Sequence, residues 1–92
     1  MVIWSNPAKE DLKRIHDYIA QDSQYYAKLV VAQIISKADS LEEFPKMGRE
    51  VPEIGDPDIR EFPVYSYRLI YRCNNGGIEV LTIVHSKRIF SP

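Results

Sequence analysis

The sequence predicts an α+β fold in the order β-α-α-β-β-β, with an N-terminal helical hairpin packed on one face of a mostly antiparallel sheet. Three observations carry this. Two segments in the first half repeat apolar residues at helical spacing, and Pro45 stops the second of them. In the second half, two β-favouring runs flank Asn75-Gly76, a dipeptide suited to a tight hairpin turn.

The opening MVIW is short, apolar and β-favouring, and SNP interrupts it, which reads as a first strand ending at about Ser5. Ser5 or Asn6 can cap the helix that follows, with Pro7 pre-set for its first turn and Glu10 and Asp11 near its positive end. Ala8, Leu12, Ile15 and Ile19 then form one stripe, so a first helix is expected over 7–21. QDSQ is a polar break in which Asp22 or Ser23 can cap again. Ala27, Val30, Val31, Ile34, Ala38, Leu41 and Phe44 keep to one face, predicting a second helix over 24–43, antiparallel to the first. Pro45 to Pro57 holds three prolines and two glycines and reads as a loop. IREFPV reads as a strand in which Pro63 marks an edge, a bulge or the end. YRLIYRC and IEVLTIVH are the two strongest strands. The whole of 1–92 reads as one domain, since a chain this short supports one modest core.

The hairpin turn sets a register in which Cys73 faces Ile78. Strict alternation then gives Tyr71–Val80, Leu69–Thr82 and Tyr67–Val84 on one face, expected to bury against the helices. Arg72–Glu79, Ile70–Leu81, Arg68–Ile83 and Ser66–His85 fall on the other. That second face is too apolar to be simply solvated and too cationic to be ordinary core. Arg68 and His85 are expected diagonally across it, close enough to share a ligand, with Lys87 joining them and Arg88 pointing away. The alternative is that its aliphatic residues pack under a loop or a partner while the arginines cover the rim.

Composition bounds the function. An apolar fraction of 45% with 27% charged residues is that of a globular domain. No apolar run reaches the roughly 18–20 residues of a membrane span, and MVIWSNPAKEDL lacks the cationic-then-apolar pattern of a signal peptide, so a cytoplasmic protein is expected. The single Cys73 offers no internal disulfide and reads as an inert, buried thiol. His16 and His85 lie far apart without a matching Cys or Asp cluster, so neither metal nor cofactor is expected. Gly76 and Gly77 belong to the turn, not to a phosphate loop. The net charge of −1 hides an asymmetry: residues 39–58 hold seven acids against two cations, and residues 60–92 hold five cations against two acids. A basic C-terminal part can face an acidic partner, nucleic acid or protein. His85 is the residue best suited to acid–base work.

In combination, several segments resemble the RelE/ParE superfamily of small toxins from bacterial type II toxin–antitoxin systems. They are NPAKEDLKRIHDYI, FPKMGREVPEI, DIREFPV, YRLIYR and IEVLTIVHSKR, which together span nearly the whole chain. The pattern is Pro45-x-x-Gly48-Arg49, Arg60, Tyr67-Arg68-x-x-Tyr71-Arg72 and His85-x-x-Arg88. The resemblance implies one of two activities. RelE-like members are ribosome-dependent mRNA endonucleases, and for that reading Arg68, Arg72, His85 and Lys87 would serve the scissile phosphate. ParE-like members are described as poisoning DNA gyrase by binding it. The ending VHSKRIF is similar to ParE-type endings, Phe90 lacks the hydroxyl often found near the C-terminus of the nucleases, and the loop 45–58 is acidic, so the ParE reading is favoured. Under it, Arg49, Arg60, Arg68, Ile70, Arg72, Leu81, Ile83, His85, Lys87 and Arg88 are the expected target- or antitoxin-binding residues. The resemblance further implies a cognate antitoxin whose disordered tail folds onto the helical hairpin and onto an exposed apolar strip of Ile70, Leu81 and Ile83, giving a toxin–antitoxin hetero-oligomer. A purely structural or adaptor module is the third class.

Overall fold

Val2–Trp4 forms β1, and Ser5 turns the chain from it into α1 (Asn6–Ala20). In the computed structural model, which describes residues 1–86, the remaining elements are α2 (Gln24–Glu43), β2 (Arg49–Glu50), β3 (Ile59–Val64), β4 (Tyr67–Asn74) and β5 (Gly77–His85). Ser5 and Ser23 are the two N-caps; their hydroxyls accept from the Ala8 and Tyr26 amides at 3.2 and 3.1 Å. Phe44, expected to complete the stripe of the second helix, is mostly exposed, because it is the capping residue and its backbone has left helical geometry.

The five strands form one sheet in the order β1-β5-β4-β3-β2. Its hairpins are antiparallel, and β1 runs parallel to β5, with Val2 opposite Ile78 and Trp4 opposite Val80. The extra strand β2 lies inside the segment expected to be loop, pairing Arg49 with Glu61 and Glu50 with Arg60. Two residues carry too little pattern to be read as a strand. Pro63 sits in the part of β3 beyond the reach of β2, so its missing N–H costs no ladder bond. The helices cover one face of the sheet, where Ala8, Ile15, Val30, Ile34, Ala38 and Leu41 close on Leu69, Tyr71, Ile78, Val80 and Ile83.

The register of the main hairpin departs from strict alternation. Cys73–Ile78, Arg72–Glu79 and Tyr71–Val80 pair as expected; a bulge then leaves Leu81 as an extra residue, and the pairs become Ile70–Thr82, Leu69–Ile83, Arg68–Val84 and Tyr67–His85. Burial explains the shift. Ile78, Val80 and Ile83 all belong to the helix-side core, and residues 80 and 83 share a face only if one residue is inserted between them. Leu81 and Val84 pack on the opposite side.

Two side chains from the N-terminal segment hold the bulge. The Ser5 hydroxyl donates to the Leu81 carbonyl at 2.8 Å. Asp11 on α1 accepts from the Thr82 hydroxyl and from the Ile83 amide, the latter at 3.0 Å, supplying the bond that the disrupted ladder does not.

The sheet's second face is also covered. Val51 and Ile59 close over Ile70, with Ile54, Leu81 and Val84 beside them, so the segment between β2 and β3 folds back across the strands. Ile70 is fully buried and Ile83 is only 4% exposed on the helix side. The expected exposed strip of Ile70, Leu81 and Ile83 is therefore not formed: the bulge sends Ile83 to the other face, and the loop buries Ile70.

Asp11→Ala is expected to destabilise the protein by about 2 kcal/mol, the cost of stranding a buried backbone N–H, and Asp11→Asn by less, because its amide oxygen still accepts. Urea unfolding of the three proteins checks this.

Candidate functional site

The segment linking α2 to β3 is fastened to the sheet by Tyr71. Its ring is fully buried, its hydroxyl donates to the Pro45 carbonyl at 2.6 Å, and it accepts from the Gly48 amide at 3.0 Å. Burial pushes the Tyr71 phenol up, opposed by that amide. A Cβ on Gly48 would stand 2.5 Å from the Tyr71 hydroxyl and 2.6 Å from the Glu61 carbonyl oxygen, so only glycine fits. The spacing Pro45-x-x-Gly48-Arg49 thus encodes a structural lock: Pro45 accepts, Gly48 makes room and Arg49 continues into β2. Cys73 is drawn into the same lock, its Sγ 3.4 Å from the Pro45 carbonyl, and burial pushes its thiol up, as suits an unreactive cysteine.

Glu61 on β3 is the one charged residue buried among those described, at 3% exposure. One of its oxygens accepts from the Arg49 Nε at 2.6 Å; the other accepts from the Arg68 Nε. The Arg68 terminal nitrogens each donate to one Glu53 oxygen at 3.1 Å, a bidentate pair. The hydrogen bonds with Glu53, and then those with Glu61, push the already basic guanidinium further up against the opposing effect of burial. Arg60 donates to the carbonyls of Pro57 and Gly48 at 3.0 and 2.8 Å, closing the loop from the other side.

The ten residues expected to bind a target or antitoxin are therefore placed unevenly. Arg49 and Arg68 meet on Glu61, beside a cleft of about 360 Å³ that Glu53, Pro63 and Ser86 also line. Arg72 lies exposed two positions beyond the buried Ile70 on β4. Leu81 is half-buried. His85 does not share a ligand position with Arg68: the bulge pairs it with Tyr67, and its ring stands edge-on to the Tyr67 ring at 5.8 Å between centroids. Lys87, Arg88 and Phe90 lie outside the described residues. Among the described residues no group of three His, Cys, Asp or Glu side chains is placed to hold a metal ion, and no helix is long and apolar enough to cross a membrane.

Sequence reasoning missed the two carboxylates that occupy the arginines. A signal was available, since a two-residue turn at Tyr65-Ser66 sets Val64 opposite Tyr67 and hence Glu61 opposite Ile70, diagonal to Arg68. Glu53 carried no such signal, because it lies in irregular chain.

Residues 2–90 match the family model described as ParE toxin of type II toxin-antitoxin system, parDE. The chain belongs to the ParE toxin family. It is 33% identical over 89 residues to Toxin RelE2 of Caulobacter vibrioides, with 96% of this chain and 97% of that protein covered. Its fold is similar to a chain in the structure of the chromosomal ParDE toxin–antitoxin system from P. aeruginosa, at a TM-score of 0.76 and 21% identity over 94% of this chain and 95% of that one. As a ParE-family toxin of a type II system it has a cognate antitoxin as partner.

Within this ParE-type fold, removing the Arg68 arm of the Glu61 bridge leaves a buried carboxylate with Arg49 as its remaining arm. Arg68→Ala is expected to cost about 3 kcal/mol of stability, measured by urea unfolding, whereas Glu61→Leu combined with Arg68→Met regains most of the loss because charge and partner leave together.

Proposed function

We propose that this toxin arrests growth by binding DNA gyrase and trapping it on cleaved DNA, and that it does not work by cutting RNA. The observation that carries this reading is the engagement of Arg68 by Glu53 and Glu61, together with the placement of His85 beside Tyr67. Phosphodiester cleavage needs cations aimed at the developing charge and an acid–base group within reach of the same phosphate. A guanidinium whose fork already holds two carboxylates can take a phosphate only by giving them up, one of them buried. The net charge of −1 is likewise a poor match to a protein that must grip an RNA backbone. The likeness to ParE-type toxins supports gyrase as the target, and with it an action in the cytoplasm.

The antitoxin is proposed to dock on the helical hairpin. Trp4, Leu12, Val31 and Ile35 line an apolar groove of about 440 Å³ between α1 and α2, with Lys9 and Lys13 at its rim. An amphipathic, acidic segment that folds on binding fits such a groove, with aliphatic anchors inside and carboxylates toward the lysines. That surface replaces the sheet strip, which the β2–β3 segment already covers. The resulting complex is a toxin–antitoxin hetero-oligomer.

Purified toxin is expected to inhibit gyrase supercoiling and to accumulate linearised plasmid, with His85→Ala as active as the unaltered chain. Codon-specific cleavage of mRNA on programmed ribosomes, abolished by His85→Ala, would overturn the reading.

A further inference from the structure

A further cavity, of about 630 Å³, opens where α1 and α2 meet the β3–β4 turn and the end of β5. Among the described residues, five rings from five different segments surround it: Tyr18 on α1, Tyr26 on α2, Tyr65 in the turn, Tyr67 on β4 and His85 on β5. Its floor is aliphatic. Tyr26 stands edge-on to Tyr65 at 6.3 Å, and Tyr67 edge-on to His85 at 5.8 Å. Burial, and then the neighbouring Tyr18 and Tyr26, push the Tyr67 phenol up.

Tyr67 packs against the core, but the fold does not account for three of these rings. Tyr18, Tyr26 and Tyr65 remain 70%, 46% and 51% exposed, so they contribute little to the core. Tyr65 also occupies a position that disfavours it. Its φ is +54°, in the left-handed region, and it is the first of the two residues linking β3 to β4. A two-residue turn with positive φ at its first central position favours glycine, and asparagine tolerates that conformation better than an aromatic residue. A large exposed aromatic held in a strained backbone conformation beside a cavity is a mark of ligand contact, not of folding.

The charges decide what kind of ligand. Among the described residues Asp11 is the sole acid lining the cavity, and both its oxygens are engaged, one by Arg14 at 2.9 Å and the other by Thr82 and Ile83. An aromatic cage for a cation would lack an available counter-charge. The lining instead presents phenol hydroxyls, an imidazole and the Arg14 guanidinium, which is 71% exposed and steered by Asp11. Aromatic walls suit a planar π-system, and donors at the rim suit an anion attached to it. We propose that this cavity binds a nucleobase carrying a phosphate, with the base against the tyrosines and the phosphate toward Arg14. The nucleotide comes either from the free pool or from an unpaired stretch of a nucleic-acid strand, and 630 Å³ is within the range of small-ligand sites.

The test is a titration of the full-length, isotopically labelled toxin, followed by amide chemical shifts. Adenosine 5′-monophosphate is expected to give saturable shifts at residues 18, 26, 65–67 and 85; adenosine binds more weakly, and inorganic phosphate alone does not saturate. Tyr18→Ala and Tyr65→Asn, the latter keeping a residue that accepts the turn geometry, each weaken binding roughly tenfold, in line with the loss of one base–aromatic stack. Tyr25→Ala, exposed on the same helix as Tyr26 but outside the cavity lining, leaves it unchanged. A six-residue oligodeoxyadenylate binding tighter than the mononucleotide identifies a strand as the source; equal or weaker binding identifies the free nucleotide. The proposal is overturned if these amides do not shift at millimolar nucleotide, if Tyr18→Ala and Tyr65→Asn bind as the unaltered chain does, or if tetramethylammonium saturates the site in preference to the nucleotide.

Discussion

A single buried carboxylate organises the half of the molecule that matters most for its chemistry. Glu61 enters the interior on β3 and survives there because Arg49 and Arg68 approach it from two strands. Burying an ion is costly unless the partner geometry is good and further hydrogen bonds complete it; here one guanidinium comes from β2 and the other from β4, and Glu53 holds the far end of the latter. The bridge therefore fixes β2 against β3 and anchors the β2–β3 segment where it covers Ile70. With Tyr71 clamping Pro45 and Gly48, the whole connection from the helices to the sheet becomes part of the fold.

This arrangement shapes the functional reading. Of the residues that would serve a scissile phosphate, Arg68 is a fold residue in three dimensions, and so are two of the arginines expected to bind a target, Arg49 and Arg60. Arg49, Arg60 and Arg68 are engaged by carboxylates or backbone carbonyls. What the surface offers instead is apolar and aromatic: the groove between the helices, and the tyrosine-walled cavity on another face of α1. Such surfaces suit recognition better than hydrolysis. The family to which the chain belongs supplies the toxin–antitoxin context, and the side-chain geometry supplies the reason to favour binding over cleavage within it.

The fold was largely legible, because its signals are local. The caps at Ser5 and Ser23, the helical stripes, the stop at Pro45 and the turn at Asn75-Gly76 lie in short windows, and each expected element formed within a residue or so of its bounds, the two-residue β2 being the one addition among the described residues. The candidate site was less so. Its geometry depends on one inserted residue at Leu81, which flips every later side chain of β5, and the bulge is held by Ser5 and Asp11 from more than 70 residues away in sequence. Alternation alone put His85 beside Arg68; the demand that Ile83 join Ile78 and Val80 in the core moved it. Glu53 reaches Arg68 from irregular chain, where no period exists to read. The family pattern Pro45-x-x-Gly48-Arg49 was visible as a motif, but its meaning, a glycine pressed against a buried tyrosine hydroxyl, required coordinates.

The central claim is that Arg49, Arg60 and Arg68 are spent on the fold and that the toxin acts by binding. Expressing the Glu61→Leu, Arg68→Met protein in growing cells, with transcript integrity followed alongside viability, tests it most directly. The account expects a folded variant that still arrests growth while its host's transcripts remain uncut. A folded variant that has lost growth arrest, alongside an unaltered toxin that cleaves mRNA, would contradict it.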